Sequence, residues 1–384
     1  VTVRIINADV FEGLAQLEDE SVQCCVTSPP YWGLRDYGTA RWEGASSSCD
    51  HVSHTIRTGA GMEALGEKYR GGGKKATPEK LIQFAEVCGK CGAARVDQQL
   101  GLEPTPEAFV EKTVAVFKEV RRVLRKDGVL FLNIGDSYTS QPSWGLGGGS
   151  TLDGRKQGNE GGAAVCRAKL PGLKQKDLIG IPWMLAFALR ADGWYLRQEI
   201  IWNKPNPMPE SVTDRCTKAH EHIFLLSKSA RYYFDAGAIK ELADPVNFRD
   251  SATARRNPPP GCATDSGFAN GRHYSRRNKR SVWTMATQPY SEAHFATFPE
   301  ELPATCIKAG SRIGDTILDP FGGAGTTGLV ADKLNRNAVL IELNPEYAAM
   351  AKKRIHTSAP LFAELETLSS EQISLLESHR SNGE

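Results

Sequence analysis

The stretch that most constrains this chain runs Thr316-Ile317-Leu318-Asp319-Pro320-Phe321 and passes straight into Gly322-Gly323-Ala324-Gly325-Thr326-Thr327-Gly328. The first part is a short apolar strand, stopped by a proline that has no N–H and a fixed φ. Residues 323–328 satisfy G-x-G-x-x-G, and a helical run, Leu329 to Leu334, follows. A second strand, Ala338 to Ile341, ends in Glu342, about 20 residues past the glycines, where a carboxylate can hold a ribose diol. Strand, glycine turn, helix, strand and acid predict a parallel α/β sheet that binds an adenosine-containing cofactor. The glycines alone leave a dinucleotide and S-adenosylmethionine both open.

Near the other end, the apolar run Val22 to Val26 reads as a buried strand and leads into Thr27-Ser28-Pro29-Pro30-Tyr31-Trp32. Two prolines in succession forbid the strand from continuing and make a rigid turn. The Ser28 and Pro29 carbonyls lose their ladder partners and can face a ligand. Tyr31 adds a ring for stacking. Rigid acceptors beside an aromatic ring suit the exocyclic amino group of a nucleobase; an ordinary Pro-rich loop is the alternative.

Taken as a pair, Asp-Pro-Phe-Gly-Gly-Ala-Gly-Thr-Thr-Gly and Thr-Ser-Pro-Pro-Tyr-Trp resemble the amino-methylating DNA methyltransferases. The order, target motif first and cofactor motif last, is similar to the permuted beta group of that family. Ile6-Asn7-Ala8-Asp9, Ile201-Trp202-Asn203-Lys204-Pro205-Asn206-Pro207 with His220-Glu221, and His294-Phe295-Ala296-Thr297-Phe298-Pro299 resemble further family segments. The resemblance implies a doubly wound, mostly parallel, Rossmann-like fold, with S-adenosylmethionine as cofactor and double-stranded DNA as partner. It implies that Asp9, Thr297, Phe298, Asp319, Phe321, Gly323, Gly325, Thr326, Thr327, Glu342 and Asn344 bind the cofactor. Ser28, Pro29, Pro30 and Tyr31 would hold the target amino group of a flipped base. Ala8 departs from the family's usual glycine. Serine before Pro-Pro is commoner in the family's cytosine-N4 enzymes, so cytosine N4 is the expected target and adenine N6 the alternative. A homodimer and a cognate restriction endonuclease are further candidate partners. Two rival classes are a nicotinamide-dependent oxidoreductase and a non-catalytic, zinc-containing DNA-binding protein. The first leaves the Pro-Pro-Tyr turn unexplained, and intact Ser28, Tyr31 and Glu342 speak against the second.

Composition supplies bounds. With 40% apolar and 24% charged residues, the chain is an ordinary globular one and no apolar run reaches the length of a membrane span. The net charge of +2 means that any basic surface must be local. Nine cysteines, an odd number and scattered, predict a reducing compartment such as a bacterial or phage-infected cytoplasm, with a nucleus equally compatible.

From Gly33 to Gly101 the pattern dissolves into glycine, serine and charge, which predicts an insertion. Cys88-Gly89-Lys90-Cys91-Gly92 has the spacing of a zinc knuckle, and Cys49 with His51 (or His54) supplies a second pair, so zinc is the expected ligand. A reduced or redox-active thiol pair is the alternative. Between Arg249 and Arg280 eight Lys/Arg face two acids, so the basic surface is concentrated there. Arg255, Arg256, Arg272, Arg276, Arg277, Lys279 and Arg280 are the candidate DNA contacts.

The expected organisation is a methyltransferase domain in two parts. Residues 1–32 and 102–228 form the catalytic part, interrupted by a Gly/Ser-rich loop at 137–172 that either closes over the site or stays uninvolved. Residues 33–101 are the zinc insertion, 229–282 the target-recognition region, 283–358 the cofactor part and 359–384 a tail with roughly helical apolar spacing at 361–376. A helix opens at Thr105-Pro106-Glu107 and ends at Asp127-Gly128, and a strand follows from Val129 to Ile134. Asn133 and Asp136 are expected to cap a loop rather than to line the cleft. His220 and His222 are expected in the core or at an edge.

Overall fold

The computed structural model describes residues 1–33, 39, 41–44, 49, 88, 90–139, 172–174, 176–242, 276–288, 298–358 and 364–368. In chain order the elements are β1 (Thr2–Asn7), α1 (Val10–Ala15), β2 (Val22–Thr27), β3 (Arg41–Glu43), β4 (Ala94–Val96), α2 (Pro106–Val123) and β5 (Leu124–Ile134). There follow α3 (Ile181–Ala191), β6 (Tyr195–Asn203), β7 (His220–Ser227), β8 (Glu241–Leu242), β9 (Arg276–Arg277) and β10 (Val282–Thr284). The last six are α4 (Glu301–Gly310), β11 (Thr316–Asp319), α5 (Thr326–Lys333), β12 (Asn337–Glu342), α6 (Pro345–Ser358) and β13 (Glu364–Leu368).

Among the described residues nine strands form one sheet in the order β10-β6-β7-β5-β2-β11-β12-β1-β13. All neighbours are parallel except β7, which runs antiparallel to β5 and to β6. The carboxyl ends of β1, β12, β11, β2 and β5 therefore share one edge with the start of β7. Strands from both ends of the chain meet at the centre, where β11 pairs with β2 through Ile317 opposite Cys24 and Leu318 opposite Cys25.

Alternation along the strands sends side chains to two cores. Ile6, Cys25, Leu130 and Leu132 pack with Leu14, Phe109, Phe117 and Leu185 of α1, α2 and α3. Ile5, Cys24, Val129 and Phe131 pack with Leu302, Ile307, Leu329, Ala351 and Ile355 of α4, α5 and α6. Helices thus cover both faces, as the expected doubly wound fold requires. Helix α2 starts as its sequence predicts: Pro106 opens it and the Thr105 hydroxyl accepts from the Ala108 N–H at 3.2 Å.

Two boundaries differ from the expectation. Helix α2 stops at Val123, ahead of Asp127-Gly128; β5 begins at Leu124, and its pairing with β2 shifts register between Val22 and Cys24. Gly128 lies in the irregularity, where a Cβ would come within 2.9 Å of the Arg125 carbonyl, so the dipeptide shapes a bulge rather than a helix stop. Part of the expected helical tail is instead β13, paired with β1 from Thr2 opposite Glu364 to Ile6 opposite Leu368. A free sheet edge offers a row of backbone partners that overrides weak helical spacing.

Candidate active site

The carboxyl edge opens into a cleft of about 880 Å³, lined at one end by Pro320, Phe321, Gly322 and Gly323 and at the other by Ser28, Pro29, Pro30 and Tyr31. The two sequence motifs, almost 300 positions apart, face one cavity.

The turn after β11 is shaped by its glycines. Gly323 and Gly325 have φ of +49° and +77°, a region that L side chains avoid. At Gly325 a Cβ would lie 2.7 Å from Ala351 Cβ, and at Gly328 2.8 Å from Leu340 Cδ1. These positions serve the turn and the seating of α5 on the sheet and on α6. At the end of β12, the Glu342 carboxylate accepts from the Gly323 N–H and the Asn344 N–H, both at 2.8 Å. Burial pushes this carboxyl up to about 7, against the pull of those backbone hydrogen bonds. Asp9 borders the same end, with Ala8 and Val10. It caps α1 by accepting from the Phe11 N–H at 2.9 Å. Phe298 and Thr326 also line the cleft, and the Thr326 hydroxyl accepts from Arg354 at 2.8 Å. The Asn344 side chain caps α6 by accepting from the Glu346 N–H. Thr297 lies outside the described residues.

Asp319 joins the two ends. Its carboxylate accepts from the Thr27 hydroxyl and from the Thr327 hydroxyl, each at 2.6 Å, and from the Phe321 N–H at 3.1 Å. Thr27 closes the strand that carries the Ser28 turn, and Thr327 lies in the first turn of α5. Burial pushes the Asp319 carboxyl up to about 6, with the two hydroxyl bonds pulling it back. The sequence predicts cofactor contact for both Asp319 and Thr327. Asp319 lines the cleft beside Pro320, while its carboxylate bonds to the hydroxyl of Thr327, which is wholly buried. The bond between them holds the turns in register, and Thr327 is not among the described residues that line the cleft.

At the other end, side chains converge from four segments. The Tyr31 hydroxyl donates to Glu221 Oε2 at 2.6 Å. Asn133 Nδ2 lies within 3.3 Å of Ser28 Oγ, 3.1 Å of the Tyr31 hydroxyl and 3.0 Å of Glu221 Oε2. Lys204 pairs with the other oxygen of Glu221 and rests over the Trp202 ring at 4.3 Å. Behind Tyr31, a Cβ on Gly135 would fall 2.6 Å from the ring, so the ring lies against backbone. Asn133 lines the cleft, and its Oδ1 is buried with no hydrogen-bond partner among the described residues. Asn133 is therefore a cleft residue, contrary to the expected capping role. Asp136 does cap, accepting from the N–H groups of Gly180 and Ile181 at the start of α3. Lys204 and Glu221 sit in segments the family resemblance covers, yet no spacing marks them as a pair. Trp32 is core, its indole N–H donating to the Glu103 carbonyl at 2.8 Å. His222 bonds to Glu199 at 2.7 Å and packs beside Trp183 and Phe224, outside the cleft.

Two groups of candidates lie apart. Arg277 and Arg280 both donate to Glu241 Oε1 at 2.8 Å, on the short β8–β9 ribbon, and Lys279 lies 5.5 Å from the Trp283 ring centroid. These three and Arg276 are not among the described residues that line the cleft; Arg255, Arg256 and Arg272 fall outside the described residues. The sulfurs of Cys49, Cys88 and Cys91 lie within 4.8 Å of one another, while His51 is outside the described residues.

The DNA methylase family of N6 and N4 methyltransferases matches residues 22–353. This chain belongs to that family. As a DNA amino-methyltransferase it is similar along nearly its whole length to two bacterial relatives. It is 41% identical to the Type II methyltransferase M.SmaI of Serratia marcescens, over 92% of this chain and 90% of that protein. Against M.Cfr9I of Citrobacter freundii the identity is 39%, over 91% and 88%. Among solved structures, the amino-methyltransferase shares its fold with a putative DNA modification methylase of Thermus thermophilus complexed with S-adenosyl-L-methionine (TM-score 0.50, 21% identity, 96% and 100% covered). The same holds for the PvuII cytosine-N4-specific DNA methyltransferase (TM-score 0.50, 16% identity, 100% and 95% covered).

Proposed function

We propose that this DNA methylase transfers a methyl group from S-adenosylmethionine to the exocyclic N4 of a cytosine turned out of duplex DNA. The observation that carries the reading is the single cleft onto which the Ser28–Tyr31 turn and the Pro320–Gly323 turn both open. The cofactor end fits the group: a glycine turn that admits close backbone approach, a carboxylate at the end of the next strand, and the half-buried ring of Phe321. Glu342 accepts the ribose hydroxyls, Asp9 addresses the adenine, and Phe321 and Phe298 cover the apolar parts. When bound, S-adenosylmethionine supplies a methyl group on a sulfonium, which leaves with the bonding pair as a thioether.

The chain's own residues make the amino nitrogen a nucleophile. Ser28 Oγ and the Pro29 carbonyl accept its two hydrogens, draw it out of conjugation with the ring and aim its lone pair at the methyl group. The base stacks on the face of Tyr31 turned away from Gly135. Once the new N–C bond forms, the nitrogen must lose a proton. Ser28 Oγ, the Tyr31 hydroxyl and Glu221 Oε2 form a line along which it can pass to the carboxylate, with Lys204 holding that carboxylate from its other side.

Cytosine is favoured because serine before Pro-Pro is commoner in the N4 enzymes of the family. The basic segment 249–280 is assigned to phosphate and base contact, Arg277 and Arg280 being presented together by Glu241. Cys49, Cys88 and Cys91 are assigned to a structural zinc ion. The Type II relatives support pairing with a restriction endonuclease. Methylated DNA digested to nucleosides and weighed decides the target: N4-methylcytosine supports the reading, N6-methyladenine replaces the base, and an unmodified product refutes it.

A further inference from the structure

We propose that the three-cysteine cluster is a metal-thiolate anchor that positions the base-binding turn from outside the cleft. The inference rests on the proposed function only in naming that turn base-binding. Cys49 and Cys88 Sγ are 3.8 Å apart. That is far beyond a disulfide bond of about 2.05 Å. It equals the sulfur-sulfur edge of a tetrahedron around zinc, about 3.8 Å for Zn–S bonds of about 2.3 Å. Cys88 is buried, and the Cys88–Cys91 turn has the knuckle form. The Gly92 N–H donates to the Cys88 carbonyl at 2.8 Å, the Cys88 N–H to the Ala93 carbonyl at 2.7 Å, and Gly92 has φ +75°.

From this knuckle the chain passes through β4, paired with β3, straight to the catalytic turn. Gln98, Gln99 and Leu100 line the cleft. The Gly33 N–H donates to the Gly101 carbonyl at 2.7 Å, and the Gly101 N–H donates to Glu103 Oε2 at 2.8 Å. The Trp32 indole N–H reaches the Glu103 carbonyl. Gly101 has φ +99°, and a Cβ there would press to 3.1 Å from the Tyr31 carbonyl. The segment thus meets the turn at the backbone of Tyr31 and Gly33 and at the indole of Trp32. A chain stretch with so few apolar residues gains its order from the metal, and it passes that order to Tyr31.

The test uses the full-length protein and readouts that need no methyl transfer. Metal analysis of the purified protein is expected to give about one zinc per chain, as a single tetrahedral site requires. Extraction with a chelator is expected to speed hydrogen exchange at residues 31–33 and 97–103 by on the order of tenfold, with 316–342 unchanged. Adding zinc back restores the slow exchange. Cys91→Ser reproduces the extracted state, Cys91→His keeps metal and slow exchange, and the affinity for S-adenosylmethionine stays the same throughout. Gly101→Ala perturbs the same backbone contact without loss of zinc. A protein that neither carries nor takes up metal overturns the inference, and so does unchanged exchange at Gly33 and Gly101 after extraction. If metal and exchange follow the expected course but no DNA is methylated, the anchor stands and the functional reading falls.

Discussion

The two ends of the cleft are built from different materials. The end assigned to the cofactor is made of backbone: two glycines at positive φ, N–H groups turned toward one carboxylate, and a helix seated closely by further glycines. The end assigned to the target base is made of side chains brought together at the ends of β2, β5, β6 and β7, with Ser28, Tyr31, Asn133, Lys204 and Glu221 in one network. Backbone sites tolerate almost no change in shape but keep their chemistry when a side chain is lost. Side-chain sites do the reverse. Asp319 couples them through Thr27 and Thr327.

The strongest test of this contrast lies at the target end. Ser28→Ala and Tyr31→Ala are each expected to lower kcat by on the order of a thousandfold, as removal of one preorganised polar group does. Cofactor affinity, measured by titration calorimetry, should stay unchanged. Full activity in both variants would remove the assigned roles. Next comes the shape of the other end. Gly325→Ala places a methyl group 2.7 Å from Ala351 Cβ at a φ of +77°. Strain and overpacking together should cost about 3 kcal/mol in urea unfolding. Loss of cofactor binding should accompany it, and a variant of normal stability would show that the turn is not held as described. Glu221→Gln keeps the outline of the network but removes its charge. It should cost about 2 kcal/mol, near thirtyfold in kcat, if Tyr31 and Lys204 depend on that carboxylate.

The contrast also explains what can be read from the sequence. A backbone site leaves its record in local spacing: the glycines and Glu342 stand at intervals that a strand, turn and helix dictate, and the structure brings the Glu342 carboxylate against the glycine turn. The Pro-Pro turn is legible for the same reason, since proline constrains its own neighbours. Glu221 and Lys204 leave no such record. They meet because β7 runs antiparallel between β5 and β6, and strand direction is set by pairing across the whole sheet. Asn133 reads as a cap because a polar residue at a strand end caps loops more often than it lines a site. Thr327 reads as a ligand contact because it lies in the glycine motif, whereas its burial and its bond to Asp319 are decided by β2 packing alongside. The strand β13 has the same origin: its partner, β1, lies at the opposite end of the chain.

A pH dependence separates the two uses of Glu342. Its carboxyl is raised from 4.5 to about 7 by burial, and that of Asp319 from 3.8 to about 6. A raised carboxyl holds its proton more tightly in the folded chain than in the unfolded one. The contribution to stability is therefore full below the ordinary carboxylate range and is lost as pH rises from about 4 to about 7. Cofactor binding runs the other way. Ribose hydroxyls donate to an ionised carboxylate, so binding favours loss of the proton, and affinity should fall by up to about tenfold for each pH unit below about 7 and level off above it. Titrating S-adenosylmethionine between about pH 5.5 and about pH 8.5, alongside urea melts of the cofactor-free protein, should give slopes of opposite sign. Glu342→Gln should flatten the binding slope and leave in the melts only the part due to Asp319. An affinity independent of pH in the unaltered protein would mean that the ribose is held elsewhere.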